Sequence, residues 1–223
     1  MKHLNVRNTL MALALTGAAA ASFAATTSTL DLTVGGTISP APCTLDFGAG
    51  NTVDFGTTKA SALSKTAYYD LGTKATSANI TCSAAIKVGF KVTDDRAASA
   101  IKDTAMSTTL GNPGTGEMYG LGTVGTAQIG SYVIDMSTKA TFDGTQLATN
   151  LYSGDNKVWT INVKWMTPNF TYSAGASAAA GPIAGKVMTY PLSIHAALNK
   201  STALNLVNDI NLDGAATFEL VYL

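Results

Sequence analysis

Apolar residues in this chain recur at alternate positions far more often than at the three- and four-residue spacing of a helix. Leu30-Asp-Leu32-Thr-Val34 alternates, and Val53-Asp-Phe55 is a shorter instance. From Ile80 to Val92 (ITCSAAIKVGFKV) apolar and β-branched residues alternate around Cys82. Tyr132 to Met136 is apolar and strand-prone. Lys157 to Met166 (KVWTINVKWM) sets Val158, Thr160, Asn162, Lys164 and Met166 on one strand face. Trp159, Ile161, Val163 and Trp165 fall on the other, which reads as the core side. Val187 to Ala197 carries Leu192 and Ile194, and Thr217 to Leu223 puts Phe218, Leu220 and Tyr222 on one face. Period-two runs punctuated by Gly, Asn, Asp and Pro predict short strands. Many such strands predict an all-β sandwich or barrel. Gly111–Gly116 and the Ala/Gly/Ser-rich stretch Ser173–Gly185 read as loops. No internal repeat or long linker divides the chain, so one domain is expected.

Composition narrows this further. Apolar residues make up 46% of the chain, enough to build a core and to exclude wholesale disorder. Charged residues are only 13%, and 14 Lys+Arg balance 14 Asp+Glu. Nucleic acid and anionic membrane are therefore not expected partners, since either needs a basic excess. The first 24 residues read as a secretory signal. Lys2, His3 and Arg7 precede the apolar stretch Leu10–Ala21, and Ser22-Phe-Ala24 offers small residues before a cut after Ala24. That stretch is too short to span a bilayer. Cleavage would remove Lys2 and Arg7 and no acids, leaving 12 bases against 14 acids. Export puts Cys43 and Cys82 in an oxidising compartment, where an even pair reads as a disulfide. Closing a loop of roughly 40 residues contributes about 3–4 kcal/mol. Two free thiols are the alternative. A zinc site is disfavoured, because His195 is the only histidine after Ala24.

Polar constellations are sparse. Gly120-Leu-Gly122-Thr-Val-Gly125 spells a dinucleotide fingerprint, but the residues after it do not look helical. Asp209-Ile-Asn211-Leu-Asp213-Gly214 resembles the first half of a calcium loop, with Leu220 where a bidentate Glu belongs. Ser99-Ala-Ile-Lys102 spells a serine–lysine nucleophile without its companion motifs. His195 lies in an alternating strand with no Ser-His-Asp set in view. Trp159 and Trp165 share a face with Ile161 and Val163, as core residues do. No enzyme, metal or cofactor is expected.

The two ends carry a more specific signal. Thr33 to Cys43 (TVGGTISPAPC) resembles the N-terminal extension and first cysteine of chaperone–usher fimbrial subunits. Ala216 to Leu223 (ATFELVYL), with its penultimate tyrosine, is similar to the closing strand of those pilins. Cys82 lies where the second pilin cysteine would, and Gly130–Met136 looks like a pilin middle strand. The resemblance implies an immunoglobulin-like sandwich that lacks its last strand and is completed by a donated one. It implies a signal peptide over 1–24, a donor extension over 25–42 and a pilin-like domain over 43–223. Leu30, Leu32, Val34, Gly36 and Ile38 would be donor-strand residues. Phe218, Leu220 and Tyr222 would line the edge bound by a periplasmic chaperone, and Cys43–Cys82 would pin the first strand. The partners so implied are that chaperone, an outer-membrane usher and neighbouring subunits, at the cell surface. The sequence departs from the family at Ser28 and Leu30, where many donor segments carry a glycine, and in added length around Lys157–Gly185. The competing expectation is a self-contained secreted β-sandwich that keeps residues 30–38 in its own sheet and binds a ligand such as a glycan.

Overall fold

The computed structural model of the chain describes residues 30–38, 41–162 and 164–223. The expected signal segment and Val163 lie outside the described residues. The chain divides after Ile38. In the first unit, residues 30–38 form no regular element, and Leu30, Leu32, Val34 and Ile38 are almost wholly exposed.

The second unit is built of antiparallel strands. They are β1 (Cys43–Phe47), β2 (Tyr69–Ile86), β3 (Val88–Asp94), β4 (Tyr119–Gly120), β5 (Thr123–Val124), β6 (Ala127–Gln128) and β7 (Gly130–Asp135). They continue as β8 (Thr141–Phe142), β9 (Thr145–Gln146), β10 (Thr149–Ser153), β11 (Thr160–Asn162), β12 (Thr171–Gly175), β13 (Gly185–Leu198) and β14 (Ala216–Tyr222). One short helix, α1 (Thr104–Thr109), interrupts them. One sheet runs β1-β2-β13-β7-β4, with β8 and β9 attached, and the other runs β11-β10-β12-β3-β14. Ile80, Ile134, Met188, Tyr190 and Leu192 of the first meet Val88, Phe90, Val92 and Tyr172 of the second in a single core. This is the all-β sandwich that the alternation predicts.

The 18-residue β2 passes to β3 through Lys87 alone, so one continuous alternating run serves both sheets. Its first half was hidden in the sequence because Asp70, Gly72, Thr73 and Lys74 dilute the pattern. Pairing with β13 from Tyr69 onward makes it a strand regardless. Behind the first sheet, Val133 and Ala197 are covered by Met106 of α1 and Leu110 just after it, together with Ile101 and Met118. Asp103 caps that helix, accepting from Met106 N–H at 2.7 Å, and accepts from the Tyr68 hydroxyl at 2.5 Å.

Three expectations are corrected. Lys157–Met166 is not one strand: Thr160–Asn162 pairs with β10 at the edge of one sheet, and Trp165 bridges to Asp135 of β7 in the other. The expected core residue Ile161 is 48% exposed, while Met166, from the expected outer face, is fully buried. Lys164, just before that bridge, lies at a bend. The Ser173–Gly185 loop begins inside β12, whose small residues fit a fully buried strand; Ser173 Oγ donates to Val88 O at 2.9 Å. Val53-Asp-Phe55 carries the alternation but has no strand to pair with, and stays irregular.

Candidate functional site

The sandwich is closed unevenly. β1 is the outer strand of one sheet and β14 of the other. Cys43, Leu45 and Phe47 of β1 are half-buried, whereas their partners Cys82, Ile80 and Ala78 on β2 are buried. Across the gap, Phe218 and Leu220 of β14 are half-buried, whereas Val92 and Phe90, opposite them on β3, are fully buried. Burial falls off at the outer strand on both sides of one seam.

The backbone tells the same story. Asp95 N–H donates to Ala215 O at 3.0 Å, and Leu223 N–H to Lys87 O at 3.0 Å. Those two bonds fix the ladder phase: odd-numbered positions of β14 bond to β3. Ala216, Phe218, Leu220 and Tyr222 therefore turn both side chain and main-chain polar groups toward the seam. Among the described residues those N–H and C=O groups have no partner. On β1, Ser83 N–H to Pro42 O and Gly48 N–H to Ser77 O set the even positions toward β2 and leave Leu45 and Phe47 facing out.

The two edges meet at one end. Cys43 N–H donates to Tyr222 Oη at 3.1 Å, and Phe47 and Phe218 form an edge-to-face pair with centroids 4.9 Å apart. Beyond Phe47 the walls separate into an open trough of about 370 Å³. Its floor is the inner face of the first sheet, with Tyr132, Ile134, Leu192 and Ile194. Val53 and Phe55 stand on one wall; Leu212 and Phe218 stand on the other. A second cavity of about 500 Å³ shares Val53, Phe55 and Leu212 with it and reaches Leu63 and Leu204. Thr76 Oγ1, on the trough floor, is buried without a hydrogen-bond partner.

The Cys43–Cys82 disulfide is formed and fastens β1 to β2 beside the closed end. The expected edge residues Phe218, Leu220 and Tyr222 are brought together on β14. The expected donor residues Leu30, Leu32, Val34, Gly36 and Ile38 lie on the separate exposed segment.

The other motifs resolve into structure. Gly120, Gly122 and Gly125 sit in strand and hairpin, with no helix behind them. A Cβ on Gly120 would lie 2.2 Å from Arg96 O, so that glycine serves close packing. Ser99 Oγ donates to Arg96 O (2.7 Å) and accepts from Gly122 N–H (2.9 Å), so it ties two loop backbones together. His195 Nε2 lies 2.8 Å from Asp70 Oδ1, a hydrogen bond across neighbouring strands. Asp213 is held by Arg96 and, among the described residues, no group of three His, Cys, Asp or Glu side chains converges as metal ligands. Trp159 rests against Gly181, and Lys164 lies over the Trp165 ring at 4.0 Å. The trough itself was not legible beforehand, because its floor comes from strands more than 50 residues apart in the chain. Its one local signal was Val53-Asp-Phe55, a strand pattern left without a strand.

Comparison with known proteins gives two matches. Protein GltF of Escherichia coli (strain K12) is 28% identical over 249 aligned positions, which span 98% of this chain and 98% of GltF. No solved structure matches the chain. A family model described as "Protein of unknown function (DUF1120)" matches residues 32–133, a stretch that contains both cysteines and ends in β7.

Proposed function

We propose that this protein is a structural subunit that assembles by strand addition, as chaperone–usher fimbrial subunits do, and has no catalytic role. The observation that carries the reading is the paired fall in burial at β1 and β14 around an open apolar trough. A sheet edge with unpaired main-chain groups and half-buried Phe and Leu is a template for another extended segment. The occupant is the exposed alternating segment 30–38 of a second copy, exported like the first and held until then by a chaperone strand. Burying Leu30, Leu32, Val34 and Ile38 would contribute roughly 6–12 kcal/mol as an upper figure. Part of that offsets parting Phe47 from Phe218 and replacing Tyr222 Oη at Cys43 N–H. A head-to-tail contact of this kind need not close, and so grows a filament.

The test mixes the mature chain, residues 25–223, with a synthetic peptide of residues 25–42. The expected result is a one-to-one complex with a raised melting temperature, lost when the peptide carries Val34→Asp. A stable monomer that ignores the peptide would overturn the proposal.

A further inference from the structure

The alternation of β14 begins well before the strand does. Leu204, Leu206, Ile210 and Leu212 precede Ala216, Phe218, Leu220 and Tyr222, all at even positions. Regular pairing starts only at Ala216, where β3 runs out at Asp94. Yet Asp213 N–H donates to Leu121 O at 2.9 Å, and Ala215 O accepts from Asp95. Positions 213 and 215 thus bond toward the body, in phase with the odd positions of β14. Leu212 and Gly214 consequently turn the other way, toward the trough they line.

Asp213 is gripped by a built socket. Arg96 Nε lies 2.7 Å from one carboxylate oxygen and Arg96 Nη2 lies 3.0 Å from the other. Arg96 is itself placed: its N–H donates to Asp94 Oδ1 at 2.9 Å, and Asp94 Oδ2 accepts from Gly120 N–H at 3.1 Å. A Cβ on Gly122, which has φ +87°, would lie 2.9 Å from Asp213 Cβ. On the N-terminal side of Asp213, residues 204–212 make, among the described residues, one hydrogen bond to a side chain, Val207 N–H to Asn205 Oδ1, within the segment itself.

We propose that the acceptor edge runs from Leu212 to Tyr222, four residues beyond the regular part of β14, and that Arg96 is the positioning residue that holds the added stretch in register through Asp213. The occupant is then a segment of a second copy about 11 residues long, spanning about 36 Å, and residues 30–38 supply all but its end. This inference rests on the strand-addition reading above.

Hydrogen exchange on the mature chain, with and without the 25–42 peptide, separates the two claims. The expected result is protection of the Leu212 and Gly214 amides together with those of Phe218 and Leu220. Arg96→Ala is expected to speed peptide release about two- to fivefold, the range of an exposed forked ion pair, at a melting temperature close to the parent's. The charge swap Arg96→Asp with Asp213→Arg should restore slow release. Capture of the peptide with protection confined to residues 216–222, or release unchanged in Arg96→Ala, would overturn the longer edge and leave strand addition standing. Failure of the parent chain to capture the peptide would overturn both.

Discussion

Replacing Cys43 and Cys82 together by alanine tests how far the first strand depends on covalent attachment. The cysteines are 39 residues apart, and the loop they close reaches through the irregular segment from Gly48 to Tyr68. Removing the cross-link frees that loop in the unfolded chain, a loss of about 4 kcal/mol in the chain-entropy model. β1 has little else to replace it: five residues paired on one side only, with half-buried side chains. For a domain of this size the loss corresponds to a melting temperature lower by about 8–16 °C. Urea denaturation of residues 25–223 and of the double variant measures it directly, and the slope against urea should rise as the unfolded state expands. Exchange of the Leu45 and Phe47 amides is less informative, since they face the open seam. The β1 amides to follow are Thr44 and Asp46, which bond to β2 and should lose protection. A stability loss under about 1 kcal/mol with those amides still protected would refute the reasoning. It would mean that β1 is held by packing against Phe218 rather than by the bridge.

Two further predictions concern regions away from the seam. A Cβ on Gly89 would fall 2.2 Å from Tyr172 O, so Gly89→Ala should cost about 1–3 kcal/mol by prising β3 from β12, and an unaltered denaturation midpoint would contradict that contact. Burial, and then the bond to Asp103, raise the Tyr68 phenol to about 12. A raised value favours the neutral folded form, so its stabilisation is complete below pH 10 and lost as pH climbs toward 12. The tyrosinate absorbance of the parent minus that of Tyr68→Phe should show this step near pH 12, and a step near pH 10 would count against the Asp103 bond.

The strands that the sequence displays most openly are those whose two faces differ in burial. Thr217–Leu223 and Val187–Ala197 alternate because one face meets the core and the other is more open to water, up to Ala197, which passes under α1. β12 was concealed for the opposite reason: it is buried on both sides and made of Thr, Tyr, Ser, Ala and Gly, so no contrast marks it. Lys157–Met166 misled because alternation reports local pattern only, and the segment leaves its pairing with β10 for a bridge to β7 in the other sheet. Val53-Asp-Phe55 and residues 204–212 mark the third case. Their pattern is that of a strand, and what they lack is a neighbour. The disulfide was readable from an even pair of cysteines and the expectation of export, whereas the trough needed the fold to bring Tyr132, Leu192 and Phe218 together.

On β14 one set of residues aims both side chain and main chain into the seam, and this bears on errors of alignment. A strand docked one residue out of step would meet Phe218 and Leu220 with its wrong face and offer its polar groups at the wrong spacing, so it loses on both counts. A strand displaced by two residues, about 7 Å, recovers every main-chain bond and is betrayed only by the size of the side chains it presents to the trough. Under the proposed strand addition, misalignment at this edge would be quantised in pairs of residues. Fidelity against the even slips falls to steric differences among apolar side chains such as leucine, valine and glycine.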